Sequence, residues 1–306
     1  MSTDRDALTS REIPFMNLSN VSDPNCLTHP PRPLPKTLPA AERAAARFAV
    51  EGNVVITGGA GTLALSTARA LLEHGATGIA LWDLETTLRS SQSAIHSLAT
   101  SFPNARIFGV SADVTSKDSI AEGITATVQT LGSVDHLFCF AGIVGCFNAM
   151  EMTETQWRST LDVNTTGAFL TAQACAKQMA IQQRGSPGCS ITLTASISGH
   201  RVNFPQPQAA YNVSKAALIS LKSSLAAEWA VHGIRVNSIS PGYMDTVLNA
   251  GEGRIAEMRQ SWADRNPMGR MGAVGELDGI CVLLASRAGS YMNGADFVVD
   301  GGACCF

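Results

Sequence analysis

The sequence predicts an α/β fold, in which one doubly wound domain carries a parallel sheet of about seven strands with helices on both faces. From residue 53 onward, short runs rich in β-branched residues alternate with longer segments of helical periodicity. A glycine-rich turn follows the first of these runs, which is where an open parallel sheet places its ligand site. The 45% hydrophobic content of the 306 residues is ample for the core of such a domain.

Each predicted strand is a short apolar run, and each predicted helix is a longer segment between two such runs. The strands are expected in NVVITG, GIALWD, ARIFGVSADV, VDHLFCFAG, CSITLTAS, IRVNSISPG and ADFVVDGG. The helices are expected in LALSTARALLEHG, TTLRSSQSAIHSLATSF, DSIAEGITATVQTLG, GAFLTAQACAKQMAIQQ and YNVSKAALISLKSSLAAEWAVHG. Strands that are joined through helices run parallel, because the crossover returns the chain to the same end of the sheet.

Residues 1–45 differ from the remainder and predict a proline-rich, partly disordered N-terminal arm ahead of a domain that spans 46–306. Six prolines fall between Pro24 and Pro39, with little hydrophobic periodicity. Docking on a neighbouring subunit and a flexible leader both fit this composition. The segment AAERAAARFAV predicts a short helix that leads into the domain.

Charge and hydropathy argue against several classes of protein. Lys and Arg number 22 against 25 Asp and Glu, and no run of basic residues forms a stripe, so nucleic acid is not an expected partner. No stretch reaches the ~18 consecutive apolar residues of a membrane span, and an N-terminus with Asp4 and Asp6 is unlike a secretion signal. We therefore expect a soluble, cytoplasmic protein that has no membrane partner.

The eight cysteines include no C-x-x-C pair, and several lie in apolar runs, which predicts buried free thiols. Cys304 and Cys305 are adjacent at the end of the chain, where they are either reactive or simply terminal. No cluster of His, Cys and carboxylate residues has the spacing of metal ligands. We expect no metal site.

The turn after the first strand, TGGAGTLALS, predicts a dinucleotide site of the Rossmann type. Gly58, Gly59 and Gly61 let the backbone approach a pyrophosphate, and the helix that follows presents unpaired N–H groups to an anion. Thr62 and Leu63, which open that helix, belong to the predicted site. An ordinary tight connection between strand and helix is the alternative interpretation.

The second strand ends on Asp83, 25 residues after Gly58, where a carboxylate accepts hydrogen bonds from the adenosine ribose. A 2′-phosphate there would meet like charge, and no Arg or Lys lies in residues 57–66 or 82–88 to offset it. The sequence therefore favours NAD(H) and does not exclude NADP(H). A strand-end aspartate that caps the backbone, with no ligand, is the alternative.

A phenol and an ammonium group, Tyr211 and Lys215, are expected one turn apart on the same face of a helix. A buried ammonium beside a phenol favours the phenolate, so the pair predicts a proton donor and acceptor in which the Tyr211 pKa is below the usual ~10. Ser196 and Ser198 open the preceding loop. A solvated surface pair is the alternative, because Tyr-x-x-x-Lys is an unselective pattern.

The glycine turn and Asp83 are followed in order by SADV at 111, CFAG at 139, DVNTTGAFL at 162, TASISG at 194, YNVSK at 211 and SPGYMDT at 240. This ordered set resembles the short-chain dehydrogenase/reductase family over about residues 50–302. The stretches SGHRVNFPQPQAAYNVSKAA and DGGACCF look most like fungal polyol dehydrogenases and ketose reductases of the mannitol, arabinitol, sorbose and xylulose type. The resemblance implies an NAD(P)(H)-dependent oxidoreductase that interconverts a secondary alcohol and a ketone, either a polyol and ketose or a similar small carbonyl compound.

The resemblance also implies roles for the matching residues. Tyr211 would be the general acid in reduction and also a contact of the cofactor, with Lys215 lowering its pKa and binding the nicotinamide ribose. Ser196 would orient the substrate oxygen, with Ser198 as its competitor, and Asn164 would hold a water between Lys215 and solvent. The remaining implied cofactor contacts are Asp113 and Val114 near the adenine, Ala141 and Gly142 beside the adenosine ribose, and Pro241, Gly242 and Thr246 around the nicotinamide.

Two departures from the family pattern bear on cofactor binding. Thr62 and Ala64 replace two glycines of the turn, and we expect the Thr62 side chain to weaken binding without abolishing it. Phe140 stands where an asparagine is common, so either a polar brace is lost or an aromatic wall is gained. These departures keep open a rival function, in which a catalytically weak or inactive protein of this fold acts as a binding or regulatory component.

Residues of about 243–275 form a helical excursion between the last two strands, which predicts a lid that selects the substrate. An ordinary surface insert is the alternative. The family resemblance further implies a homotetramer or homodimer that is formed through the long helices, including AALISLKSSLAAEWAV.

Overall fold

A computed structural model describes residues 13–246, 249 and 253–306. One parallel sheet is built from the strands β1 (Asn53–Thr57), β2 (Gly78–Asp83), β3 (Arg106–Ser111), β4 (His136–Cys139), β5 (Cys189–Thr194), β6 (Ile234–Pro241) and β7 (Asp296–Val299). Their order across the sheet is β3-β2-β1-β4-β5-β6-β7. The chain winds outward from β1 in both directions, which confirms the predicted doubly wound sheet.

The helices that connect these strands are α1 (Ala40–Arg47), α2 (Thr62–Glu73), α3 (Glu85–Ser90), α4 (Gln92–Ser101), α5 (Lys117–Leu131), α6 (Glu154–Leu161), α7 (Ala168–Gln182), α8 (Ala209–Trp229), α9 (Arg254–Asp264) and α10 (Asp278–Ala285). The single helix predicted in TTLRSSQSAIHSLATSF is instead the pair α3 and α4, which meet at Ser91. The Ser91 hydroxyl donates to the Ala60 carbonyl at 3.2 Å, so this break ties the segment to the glycine turn.

The core consists of two apolar clusters, one on each face of the sheet. Val54 and Ile56 of β1 belong to one cluster, together with Leu71 of α2, whereas Val55 belongs to the other. Because both faces are covered, β1 is buried along its whole length. This is why the central strands read as continuous apolar runs rather than as alternating ones.

The N-terminal arm lies against its own domain where it is described. Residues 13–39 contain no helix or strand. A Cβ added at Gly233 would lie 3.0 Å from the Leu27 Cβ, and the Arg287 guanidinium donates to the Arg32 carbonyl. Helix α1 crosses the predicted boundary at residue 45. The first twelve residues of the predicted arm, and 247–248 and 250–252 of the predicted lid, lie outside the described residues.

None of the helices among the described residues is a candidate membrane span. None of them combines the length and the apolar composition that crossing a bilayer requires.

Candidate active site

A cleft of about 1030 Å³ opens where the carboxyl ends of the strands meet. The glycine turn and the end of β2 line one end of the cleft, and residues 203–208 and α9 line the other. This volume is at the upper end of the range for small-molecule sites, which runs to about 1000 Å³. The cleft therefore has room for an elongated ligand together with a second, smaller one.

Close packing fixes the glycine turn at the first end of the cleft. Gly58 has a φ of +62°, and a Cβ added there would lie 2.8 Å from the Ala141 nitrogen. A Cβ added at Gly59 would lie 2.7 Å from both the Ile56 carbonyl oxygen and the Leu81 Cα. Gly58 and Gly61 line the cleft, whereas Gly59 packs behind the lining, where its N–H donates to the Trp82 carbonyl at 2.9 Å.

Helix α2 begins at the edge of the cleft, and the predicted residues Thr62 and Leu63 both line it. No side chain caps the helix at Gly61, so its first backbone N–H groups have no side-chain acceptor. Unpaired N–H groups and the positive end of the helix dipole suit an anion. Together with a turn that admits no Cβ at Gly58 or Gly59, they fit a dinucleotide pyrophosphate.

Asp83 both braces the glycine turn and faces the cleft. Its Oδ2 accepts the Ala60 N–H at 3.1 Å, and its Oδ1 accepts the Leu84 N–H at 2.8 Å. The backbone cap that the sequence left as an alternative is therefore present. Each carboxylate oxygen keeps acceptor capacity, so the cap and a ribose contact are compatible.

Asp113 is also a cap that lines the cleft. Its Oδ1 accepts the N–H and the hydroxyl of Thr115, at 2.9 and 2.7 Å. The other predicted contacts that line the cleft are Val114, Ala141, Gly142, Pro241, Gly242 and Thr246. Phe140 lines the cleft too and stacks on Phe138, with ring centroids 6.3 Å apart, so it contributes an aromatic wall.

Tyr211 and Lys215 lie one turn apart on α8, and both line the cleft. The Lys215 side chain is only 5% exposed, and its Nζ lies 5.5 Å from the centroid of the Tyr211 ring. The ammonium donates to the Thr194 carbonyl at the end of β5, at 2.7 Å. These positions exclude the surface pair that the spacing alone allowed.

The Tyr211 pKa is raised rather than lowered, so the prediction of a lowered pKa is wrong. Burial raises the pKa of Tyr211 to about 12, although a hydrogen bond with Ser196 acts in the opposite direction. Burial also lowers the pKa of Lys215 to about 8. Removing both groups from water disfavours both charged forms, and this effect outweighs their attraction.

Ser196 and Ser198 form one hydroxyl pair beside Tyr211. The Ser196 Oγ donates to the Ser198 Oγ at 3.1 Å and accepts the Ser198 N–H, also at 3.1 Å. Both residues are buried and line the cleft. Ser196 is the one whose hydrogen bond acts on the Tyr211 pKa, which favours it over Ser198 as the partner of the phenol.

Asn164 lies behind the lining of the cleft rather than in it. It is part of a π-helical turn, Asp162–Gly167, between α6 and α7. Its Oδ1 accepts the Ile143 N–H at 2.8 Å, and its Nδ2 donates to the Ile143 carbonyl at 2.9 Å and to the Ser214 hydroxyl at 3.0 Å. The amide therefore clamps Ile143, a lining residue, and both of its donor hydrogens are committed.

The substrate end of the cleft contains residues that the sequence did not single out. Tyr243 stacks on Trp262 with ring centroids 4.2 Å apart, and the Trp262 Nε1 donates to the Gln206 Oε1 at 3.2 Å. Asn203 and Gln208 complete this group. The amide-rich run VNFPQPQ, directly before Tyr211, was the available signal. Helix α9 contributes Ile255, Met258 and Trp262 to the lining, so the predicted insert does border the cleft.

All eight cysteines are free, and Cys139, Cys175, Cys189 and Cys281 are buried as predicted. Cys146 and Cys305 are exposed instead, and Cys26 and Cys304 are half-buried. Burial raises the pKa of Cys304 to about 11, which disfavours the reactive thiolate. Within 13–246, 249 and 253–306, no group of His, Cys and carboxylate side chains is placed to hold a metal ion.

Comparisons with known proteins agree with the geometry of the cleft. A family model described as enoyl-(acyl carrier protein) reductase matches residues 58–304. An NADP-dependent mannitol dehydrogenase of Alternaria alternata is 34% identical over 277 residues, which cover 89% of this chain and 99% of the relative. A D-arabinitol 2-dehydrogenase of Scheffersomyces stipitis is 38% identical over 277 residues, covering 85% and 96%.

Solved structures lead to the same conclusion. A short-chain type dehydrogenase/reductase from Mycobacterium marinum matches with a TM-score of 0.78 at 37% identity, covering 85% of this chain and 98% of that one. An NAD⁺-bound xylitol dehydrogenase matches with a TM-score of 0.72 at 30% identity, covering 82% and 98%. The chain belongs to the short-chain dehydrogenase/reductase family and is an oxidoreductase that uses a nicotinamide dinucleotide.

Proposed function

We propose that this enzyme interconverts a polyol and a ketose, or a similar small secondary alcohol and ketone, with Tyr211 as the group that transfers the proton. One observation carries the proposal: half-buried Tyr211 and buried Lys215 line the same cleft as the glycine turn. The mannitol, arabinitol and xylitol dehydrogenases among the similar proteins support this substrate class. The rival function, a binding component without activity, rests on the Thr62, Ala64 and Phe140 departures alone.

A nicotinamide bound in the cleft would supply the hydride chemistry of the proposed reaction. Tyr211 gives its proton to the substrate oxygen as negative charge develops there during reduction. A pKa of about 12 keeps the phenol protonated at neutral pH, which is the state that reduction requires. A positioned general acid of this kind contributes a rate factor of ~10² to 10⁴.

Ser196 and Lys215 support the phenol in different ways. The Ser196 hydroxyl lies beside Tyr211 and would bind the same substrate oxygen. Lys215 uses one ammonium hydrogen on the Thr194 carbonyl, which leaves two for the ribose of the cofactor. Any water that Asn164 holds for reprotonation must use its backbone carbonyl or the second lone pair of Oδ1, because its amide hydrogens are already bound.

NAD(H) is the proposed cofactor, in preference to NADP(H). Asp83 lines the cleft at the end of β2, where a 2′-phosphate would meet its like charge, and Lys215, at the far side, is the one cation among the described residues that line the cleft. The relatives use both forms by name, since the Alternaria alternata enzyme is NADP-dependent and the xylitol dehydrogenase was solved with NAD⁺. The preference therefore depends on Asp83.

The test is a turnover screen of polyols and ketoses with NAD(H) and NADP(H) in parallel. We expect oxidation of at least one polyol and reduction of its ketose, with kcat/KM at least about tenfold higher for NAD(H), which corresponds to ~1.4 kcal/mol. Enhanced NADH fluorescence without turnover on any compound would contradict the enzymatic proposal. An equal or higher kcat/KM with NADP(H) would contradict the proposed role of Asp83 but not the enzymatic proposal.

We also propose a homotetramer or homodimer formed through α7 and α8, in the cytoplasm. Two large apolar side chains on these helices are exposed in the single chain, Ile181 by 77% and Val213 by 47%. Burial in an interface would remove both from water. Sedimentation of the purified chain distinguishes these assemblies from a monomer.

A further inference from the structure

The substrate end of the cleft holds a hydrogen-bond network in which, among the described residues, the Tyr243 hydroxyl hydrogen and the Asn203 Oδ1 have no partner. The Tyr243 oxygen accepts two hydrogen bonds, from the Asn203 Nδ2 at 2.7 Å and from the Gln206 Nε2 at 2.9 Å. Both lone pairs of this oxygen are therefore used, and its own hydrogen has no acceptor among the described residues. A phenolic hydrogen in this position is free to donate to a ligand.

The spare acceptor lies on the neighbouring side chain of the same network. The Asn203 Oδ1 is buried and has no hydrogen-bond partner in the described chain. A buried acceptor without a partner is costly, and buried polar groups in native proteins are almost always paired. An alcohol hydroxyl both accepts and donates, so one hydroxyl group satisfies the Tyr243 hydrogen and the Asn203 oxygen at once.

The network is held rigidly. Trp262 covers the Tyr243 ring at 4.2 Å and also fixes Gln206 through the indole N–H. The Gln206 amide in turn donates to the Gln208 Oε1 at 3.3 Å. Gln206 and Gln208 are each only 7% exposed. A rigid pair of this kind discriminates substrates more strongly than flexible side chains do, because little ordering is needed on binding.

The charged residues around the cleft indicate the charge of the ligand that the network would bind. Its charged lining residues, within the described chain, are Asp83, Asp113 and Lys215, and none of them belongs to the network. The Arg201 charge acts to lower the pKa of Tyr243, but Arg201 lies outside the lining and donates to the Phe306 carbonyl. A phosphate or carboxylate at the network would lose water without gaining a cation that lines the cleft. The chemistry therefore suits a neutral ligand that carries hydroxyl groups.

We infer that Asn203 and Tyr243 together bind one hydroxyl group of a neutral, polyhydroxylated substrate, other than the hydroxyl that is oxidised. This inference rests on the proposed function and assigns its specificity to two residues. Helix α9 contributes by holding Tyr243 through Trp262. Sugar phosphates and sugar acids are disfavoured.

The test compares Tyr243→Phe with Tyr291→Phe. The second change removes the same hydroxyl from a fully exposed ring, so it controls for the substitution itself. For Tyr243→Phe we expect kcat/KM on mannitol or arabinitol to fall at least about tenfold, mainly through KM, and kcat/KM on 2-hexanol to change less than about twofold. Wild-type kcat/KM on a hexitol phosphate or a sugar acid is expected to be at least about tenfold below that on mannitol or arabinitol.

A second variant tests whether both side chains hold the same hydroxyl. Asn203→Leu should weaken the polyol about as much as Tyr243→Phe, and the double variant should lose little more, because either change breaks one shared contact. Equal losses on polyol and 2-hexanol, or no loss with Tyr243→Phe, would overturn the inference. So would independent, additive losses in the double variant.

A measurement of polyol binding distinguishes a failure of this inference from a failure of the proposed function. Polyol is titrated into enzyme saturated with NADH, and the nicotinamide fluorescence reports the ternary complex without turnover. Suppose that the wild-type protein turns over none of the compounds but binds polyol, and that Tyr243→Phe weakens this binding. The hydroxyl contact would then be supported, and the proposed function would be contradicted. Absence of polyol binding to the wild-type enzyme would overturn the contact.

Discussion

The two ends of the cleft are constructed in different ways. At the dinucleotide end the turn proposed to hold the pyrophosphate is made of backbone, and Gly59 fits there because a Cβ would lie 2.7 Å from two backbone atoms. At the substrate end the site is made of side chains, in which Tyr243, Trp262 and Gln206 hold one another. The first end tolerates almost no added atom, whereas the second tolerates changes that preserve its hydrogen bonds.

This difference separates binding from selection. A backbone site recognises features that every dinucleotide shares, such as the pyrophosphate. A side-chain network recognises the arrangement of hydroxyl groups on one substrate and can change without disturbing the sheet. Tyr211 and Lys215 lie between the two ends, where both ligands must meet.

Lys215 is where we expect the largest effect on stability. Its pKa falls from 10.5 to about 8 on folding, so between these values the Lys215 side chain binds fewer protons in the folded protein than in the unfolded chain, and its contribution to the free energy of unfolding rises with pH. From pH 7 to 9.5 this contribution amounts to about 2 kcal/mol. Lys215→Met should be inactive and should lack that increment when urea unfolding is measured at both pH values.

If the free energy of unfolding changes with pH in the same way in the wild-type protein and in Lys215→Met, the burial of the Lys215 amine is contradicted. Measurements stay below pH 10, since the raised pKa of Tyr211 acts in the opposite direction above that value. There the folded protein keeps a proton that the unfolded chain loses, and stability falls as pH rises. The raised pKa values of the buried Cys139, Cys189 and Cys281 act in that direction from about pH 9 in both proteins, so the difference between the two proteins is what tests Lys215.

Gly59→Ala tests the dinucleotide end. The added methyl group meets backbone atoms that cannot move aside, so we expect a loss of about 1–3 kcal/mol in the free energy of unfolding and about tenfold weaker NADH binding. Gly279→Ala in α10, where a Cβ would meet nothing within 4 Å, is the matched control and should leave both unchanged or slightly improved. Unfolding in urea and NADH fluorescence measure the two effects. If Gly59→Ala behaves like Gly279→Ala, close backbone packing does not exclude a side chain from the dinucleotide end.

Trp262→Phe tests the substrate end and should have the smallest effect. The phenyl ring keeps the stacking on Tyr243 but cannot donate to Gln206, which loosens the network. We expect KM for the polyol to rise about threefold to tenfold, consistent with one neutral hydrogen bond of ~1 kcal/mol, while kcat and NADH affinity stay the same. Steady-state kinetics at saturating NAD⁺ measure this. A matching loss of NADH affinity would show that the two ends are not separate.

The same difference explains what could be predicted from the sequence. The glycine turn, Asp83 and the Tyr211–Lys215 pair are local patterns, and all of them except Gly59 of the turn contribute to the lining of one cleft. Tyr243, Gln206 and Trp262 come from three separate segments, and their contacts exist only after folding. Local sequence also could not show that Ser91 breaks a helix to reach the Ala60 carbonyl.

The Tyr211 pKa shows a further limit. Spacing indicated that the ammonium and the phenol are neighbours, and they are. Spacing carried no information on how completely both groups are removed from water, and this burial determines the direction of the shift. Asn164 is similar, since its motif was recognised but its commitment to Ile143 was visible only in the fold.

The central claim is that Tyr211 transfers the proton at a site where the dinucleotide binds independently of it. Tyr211→Phe, assayed for NADH binding and for turnover of the best polyol, tests this most directly. We expect kcat to fall by ~10² or more while the NADH dissociation constant changes less than about twofold. A kcat that stays within about threefold of the wild-type value, with NADH still bound, would contradict it.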